Sequence, residues 1–242
     1  MADSMYQADP PGQAWLVLPT YNEAGNVEPL VRAAVENLPQ GSRVLVVDDN
    51  SPDGTGEIAD RLAAELPVEV LHRAGKEGLA SAYIAGFKHV LERGAELVLQ
   101  MDADFSHDPC DLRRLVEASR RADLVLGSRY VAGGGVEDWS LIRQGISRGG
   151  SAYARLVLGI QVKDLTGGFK CFRRQVLETI ELEGISSQGY AFQVEMTYRA
   201  LEAGFKVLEI PIVFRDRRVG SSKMSRAIVF EAAWRVPLLR WH

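Results

Sequence analysis

Leu97-Val98-Leu99-Gln100-Met101-Asp102-Ala103-Asp104 sets a short, mostly aliphatic run directly before two carboxylates spaced i and i+2. The run follows the turn-prone pair Arg93-Gly94, and its length and apolar character predict a buried strand. Side chains alternate across a strand, so two acids at this spacing can point the same way. Paired hard oxygen ligands at a strand's end suit Mg²⁺ or Mn²⁺, which keeps other positions for water or phosphate. An Asp-x-Asp triplet is common in solvated turns, so its meaning rests on its surroundings.

Working outward, strand and helix patterns alternate. Strands are predicted over Ala14–Pro19, Arg43–Val47, Val68–His72, Leu97–Met101 and Asp123–Leu126, and helices over Asn26–Asn37, Thr55–Glu65, Leu79–Arg93 and Pro109–Arg121. This order predicts an α/β fold, a mostly parallel central sheet with helices on both faces. Ligands of such sheets bind beyond the carboxyl ends of the strands. The polar clusters fall there: Thr20–Glu23, Asp48–Ser51, Asp102–Asp104 and Gly127–Arg129. Capping explains Asn22 or Ser51 singly. Paired acids after both the second and the fourth strand point to one shared site.

Beyond Tyr130 the pattern loosens. Gly133–Gly135 reads as a loop, Ser140–Leu158 and Phe192–Ala203 as helices, and Thr166–Phe169 as a tight turn. Lys206–Ile210 and Ile212–Phe214 read as strand pieces interrupted by Pro211. The segment Ser225–Trp241 is strongly apolar, with two tryptophans and three arginines. It is expected to form an amphipathic helix that lies in a membrane interface or packs on the domain or a partner protein.

The 242 residues fit one large domain, and a net charge of −4 argues against a nucleic-acid partner. Two cysteines, Cys110 and Cys171, give no disulfide framework or Cys-based zinc site, so a reducing, cytoplasmic setting is expected. Met1 to Gly12 lacks the basic and apolar regions of a signal peptide, and no run approaches the roughly 18 apolar residues of a membrane span. Gly54-Thr55-Gly56 lacks the third glycine of a dinucleotide fingerprint, and no Gly-Lys-Ser or Gly-Lys-Thr loop is present. Cys171 reads as a buried structural thiol. His107 reads as a histidine hydrogen-bonding within its loop rather than as a metal ligand.

Taken together, Leu18–Glu23, Val46–Thr55, Gly78–Ala80, Asp102–Asp104 and Gly127–Tyr130 resemble the ordered motifs of glycosyltransferase family 2, whose members have a GT-A fold. Asp164–Lys170 and Gly220–Met224 narrow the resemblance to its polyprenol (dolichol) monophosphate mannose synthases. The resemblance covers about Trp15 to Met224. Composition adds a flexible tail at 1–12 and an amphipathic helix at 225–242 on either side of the GT-A domain, 13–224, that the resemblance implies. The resemblance also implies transfer of mannose from GDP-mannose to a polyprenyl phosphate, with inversion.

On this resemblance Asp102 and Asp104 hold the metal against the donor diphosphate, with Asp104 catalytic. Asp48, Asp49 and Asp53 lie near the guanosine, and Pro19, Tyr21 and Glu23 line the same pocket. Arg129, Arg143, Arg217 and Lys223 serve the phosphates: Arg129 the donor, Arg143, Arg217 and Lys223 the acceptor, with Arg129, Arg217 and Lys223 also catalytic. The local charge agrees, since Arg215 to His242 holds seven Lys or Arg against two acids. A lipid phosphate is already an anion, so its attack needs no general base.

Some relatives carry Gln two residues after the second acid, where it helps hold the metal; here Ser106 stands there. Other relatives carry C-terminal membrane spans. This chain is expected to reach its lipid as a peripheral protein at the cytoplasmic face of a membrane, through the terminal helix or a membrane-embedded protein partner. Two rival readings stand beside this one: a polyprenyl-phosphate glucosyltransferase using UDP-glucose, and a non-catalytic membrane-associated binding subunit.

Overall fold

The computed structural model describes residues 13–185, 187–216 and 235–241. The first half follows the expected alternation: β1 (Ala14–Thr20), α1 (Val27–Asn37), β2 (Arg43–Asp48), α2 (Thr55–Glu65), β3 (Val68–His72), α3 (Leu79–Glu92), β4 (Leu97–Gln100), α4 (Leu112–Ala118) and β5 (Leu124–Ser128). The second half adds β6 (Gly135–Val136), α5 (Leu141–Leu158), β7 (Lys170–Arg173), α6 (Arg174–Thr179), α7 (Gly189–Glu202), β8 (Val207–Pro211) and β9 (Val213–Phe214).

Seven strands form one sheet in the order β3-β2-β1-β4-β7-β5-β8, and β6 pairs with β9 in a small second sheet. All neighbours in the large sheet run parallel except β7, which is antiparallel to both β4 and β5. Sequence patterning misses β7 and α6, placing only a turn before them. It also treats Pro211 as a break, whereas Pro211 closes β8 opposite Ser128.

Period-two alternation divides the sheet's side chains between two cores. Leu16 and Leu18 of β1 join Val44, Val46, Leu97, Leu99 and Cys171 beneath α1 and α4. Trp15 and Val17 join Leu45, Val47, Val98 and Phe172 beneath α3 and α7. Cys171 is fully buried, and burial pushes its thiol up to about 12. Gly86 lets α3 lie close on the sheet, since a Cβ there would stand 2.5 Å from Val17 Cγ1. A larger residue there would push the helix that carries one wall of the site away from the sheet.

No helix among the described residues is long and apolar enough to cross a membrane. Residues 235–238 are helical, and Val236 packs into a third core with Ala154, Leu158 and Val162. Arg240 donates to the carbonyl of Val157 at 3.2 Å. The described end of the chain therefore packs on α5. The rest of the expected 225–242 helix, the 1–12 tail, Arg217 and Lys223 lie outside the described residues.

Candidate active site

The carboxyl ends of β1, β2, β4 and β5 open onto one cavity of about 410 Å³. Because β7 runs antiparallel, the loop that enters it, Thr166-Gly167-Gly168, reaches the same rim. The first turns of α3 and α7 close one side, and Trp139, Arg143 and Phe214 close another.

Asp102 and Asp104 both line this cavity. The Tyr83 hydroxyl donates to Asp102 Oδ1 at 3.0 Å, and the Tyr83 ring is itself stacked against Phe87 and Phe192. Burial first, then the Asp102 charge, raises the Tyr83 phenol well above its ordinary pKa, so it stays a donor. Asp104 is 4% exposed and accepts the Ser106 backbone N–H at 3.0 Å. Phe105 between them takes a left-handed φ of 60°. That strained turn aims the second carboxylate. Among the described residues no group of three or more His, Cys, Asp or Glu could hold a metal. The donor set is thus two hard carboxylates on an open cavity. It fits Mg²⁺ or Mn²⁺ completing its shell with water and substrate phosphate.

The nucleoside residues expected from sequence divide. Pro19, Tyr21, Glu23 and Asp49 line the cavity. Asp49 meets Arg73 at 2.5 Å, and Arg73 is braced by Glu77 and Ser81 at 2.7 and 2.6 Å. Burial outweighs Arg73 and raises the Asp49 carboxyl. Asp48 and Asp53 do not line the cavity. Asp48 is 2% exposed and accepts from Thr20 Oγ1, Ser51 Oγ and the Ser51 N–H. Asp53 accepts from the Thr55 hydroxyl and N–H and from the Ala24 N–H. Against the cost of burial, these bonds hold its carboxyl below the usual range. Both acids fasten the loops that shape the rim. Their pattern in sequence resembled a ligand cluster because turn-forming and ligand-binding carboxylates use the same residue.

Arg129 and Arg143 also reach the cavity, each already carrying a carboxylate. Arg129 Nε and Nη2 bind both oxygens of Asp164 at 2.7 and 2.6 Å, and the Arg129 N–H binds the same carboxylate at 2.9 Å. Burial opposes the Arg129 charge, and Asp164 more than restores it. Arg143 stacks on Trp139 at 4.1 Å and bonds both oxygens of Asp216 at 3.0 Å. Its pair is partly exposed, so the Arg143 charge is the easier of the two to redirect to a ligand.

Other lining residues carried no sequence signal as ligands: Lys76, whose ammonium lies 4.1 Å over the Tyr21 ring, and Trp139, Gln188, Tyr190 and Gln193. His107 differs from expectation. Its ring packs against Phe169 and Phe214, and its Nδ1 has no hydrogen-bond partner among the described residues. Burial pushes its imidazole down to about 4, so it is neutral.

Comparison with known proteins supplies the context. The model of glycosyl transferase family 2 matches residues 15–181. The chain is 50% identical over 226 residues to an undecaprenyl-phosphate mannosyltransferase of Micrococcus luteus, covering 93% of this chain and 92% of that one. It is 45% identical over 230 residues to a polyprenol monophosphomannose synthase of Mycolicibacterium smegmatis, covering 94% and 86%. Among solved structures, glucosyl-3-phosphoglycerate synthase from Mycobacterium tuberculosis, in complex with Mn²⁺, UDP and phosphoglyceric acid, superposes with a TM-score of 0.70. That match spans 93% of this chain and 78% of the other at 17% identity, and so speaks for the shared α/β GT-A fold alone.

Proposed function

The chain belongs to glycosyl transferase family 2, and from that premise we propose that it moves mannose from GDP-mannose to a polyprenyl phosphate. The carrying observation is that a carboxylate pair, Asp102 and Asp104, shares one cavity with Arg129 and Arg143. Such a cavity can hold a metal-bound diphosphate and a second anion together. The names of the relatives at 45 and 50% identity supply mannose and the lipid phosphate.

The nucleoside lies along Pro19, Tyr21, Glu23 and Asp49, where carboxylates accept from base N–H or ribose hydroxyl groups. Mg²⁺ or Mn²⁺ on Asp102 and Asp104 would neutralise charge on the departing diphosphate. Arg129 and Arg143 offset the repulsion between two anionic substrates. Arg217 and Lys223 are assigned the same task from sequence alone. The acceptor phosphate is ionised near neutral pH, so its oxygen attacks the anomeric carbon without surrendering a proton. The leaving diphosphate departs from the opposite face, which inverts the configuration.

Labelled GDP-mannose and UDP-glucose offered with a short polyprenyl phosphate test this reading. Transfer is expected from GDP-mannose, with a preference of at least tenfold; this follows from a single unmatched polar contact at the base. Transfer from UDP-glucose alone overturns the donor assignment, and no transfer from either overturns the enzyme's assignment to this acceptor.

The acceptor's lipid tail calls for a membrane surface, and α5 offers one. Leu141, Ile142 and Leu156 are 84, 77 and 84% exposed and share the helix with Arg143, Arg148 and Arg155. Apolar side chains beside arginines suit the boundary between acyl chains and anionic headgroups at a cytoplasmic face. The packed residues 235–241 extend that surface with exposed Leu238. Leu141→Asp with Ile142→Asp is expected to lower liposome partitioning at least about tenfold, since each buried aliphatic contributes about 1.5–3 kcal/mol. GDP affinity should be retained. Unchanged co-sedimentation with anionic liposomes would remove α5 from the membrane contact.

A further inference from the structure

We propose that Gln193 is a specificity-determining residue that reads a hydroxyl of the donor hexose; the inference rests on the mannosyl-transfer reading above. Gln193 lies one turn into α7, lines the cavity and is 3% exposed. Its backbone carbonyl accepts from the Lys170 ammonium at 2.7 Å, which also bonds Thr197 Oγ1 at 3.0 Å. This fastens α7 to β7 and fixes where the Gln193 side chain begins. The side-chain Oε1 is buried with no hydrogen-bond partner among the described residues. A buried acceptor left unmatched is costly and is met in most proteins by some donor. The other amide atom, Nε2, faces the gap at Gly168 on the cavity wall, so this end of the amide lies where a ligand hydroxyl can meet it.

The sheet order decides which part of the ligand that is. Tyr21 and Asp49 follow β1 and β2, Asp102 and Asp104 follow β4, and Gln193 stands beyond them at the β7 side. A nucleotide sugar laid along this rim puts its nucleoside at one end, its diphosphate at the carboxylate pair and its hexose toward α7. Gly168 keeps the last step open. A Cβ there would stand 3.4 Å from Asp102 Oδ2 and 3.5 Å from Gln193 Nε2. Gly168 has no positive φ, so its missing side chain matters as space rather than as backbone freedom. That space joins the metal carboxylate to the amide Nε2, and a hexose hydroxyl entering it can donate to the first and accept from the second.

The test compares GDP with GDP-mannose and its monodeoxy analogues in the full chain with Mn²⁺. The wild type is expected to disfavour at least one monodeoxy donor about tenfold, the loss of one hydrogen bond to a buried group. In Gln193→Met, which keeps the shape without the amide, GDP binding should stay within about twofold while kcat/KM for GDP-mannose falls about tenfold. The disadvantage of that deoxy donor should disappear. Equal losses for GDP and GDP-mannose would make Gln193 merely structural and overturn the inference. So would a wild type that accepts every monodeoxy donor equally, a result that needs no variant. If the wild type uses a different nucleotide hexose, the mannose reading fails, and deoxy analogues of that donor decide Gln193 by the same comparison.

Discussion

Replacing Asp104 by alanine is expected to lower kcat/KM for mannosyl transfer by about 10³-fold, or roughly 4 kcal/mol, the scale of a lost electrostatic contact to a leaving group. The fold should barely register the change. The bond that Asp104 accepts from the Ser106 N–H is of a kind that contributes about 1 kcal/mol. Against that loss, removal of one of two carboxylates facing the same cavity relieves repulsion between them. The two readouts therefore separate: activity collapses while the melting temperature moves by a few degrees. Mn²⁺ titration in the presence of GDP supplies a third readout independent of turnover, and Asp104→Ala should weaken it at least about tenfold. Unchanged turnover with unchanged Mn²⁺ dependence would show that the carboxylate pair does not hold the metal. Asp102→Asn should be less informative, since Tyr83 already bonds that carboxylate and the amide can keep this contact.

Much of this site is legible in sequence because strand ends are legible. The runs ending at Thr20, Asp48 and Gln100 are aliphatic and short, so the acids that follow them fall on one rim by the geometry of parallel sheets. What sequence could not show is which acids face inward. Asp48 and Asp49 are neighbours, yet the first is taken by Thr20 and Ser51 and the second opens to the cavity beside Arg73. Adjacent side chains on extended backbone point opposite ways, and only the partners tell which way is which.

The second half fails for a related reason. Lys170-Cys171-Phe172-Arg173 begins and ends on a cation, so it does not read as a strand buried on both faces. The cations are admitted by carbonyls far away in sequence: Gln193 O for Lys170, and Ser119 O for Arg173. Burial pushes the Lys170 ammonium down to about 7, a measure of how strongly the interior resists it. With β7 unseen, the antiparallel reversal that carries Gly167 and Gly168 to the rim was unseen too, and Gln193 became one more polar residue on a helix.

The same blindness applies to Arg129, and here the expected effect is largest on stability. Asp164 lies 35 residues from Arg129, is fully buried, and takes three hydrogen bonds from it. Asp164→Leu leaves a guanidinium that is 5% exposed without its counter-charge. Breaking such a pair from one side costs about 3–5 kcal/mol, a large share of the 5–15 kcal/mol that holds a typical domain. At about 2–4 °C per kcal/mol for a chain of this size, the melting temperature should fall by roughly 10 °C. The double variant Arg129→Met with Asp164→Leu removes both charges and should regain most of that loss, because apolar replacements of buried pairs are often neutral. Activity should not return with stability, since the cavity would then lack the Arg129 cation that is proposed to face the two phosphates. Recovery of both together would reduce Arg129 to scaffolding. Recovery of neither would mean that the three bonds to Asp164 shape the Thr166–Gly168 loop, and that charge balance is secondary.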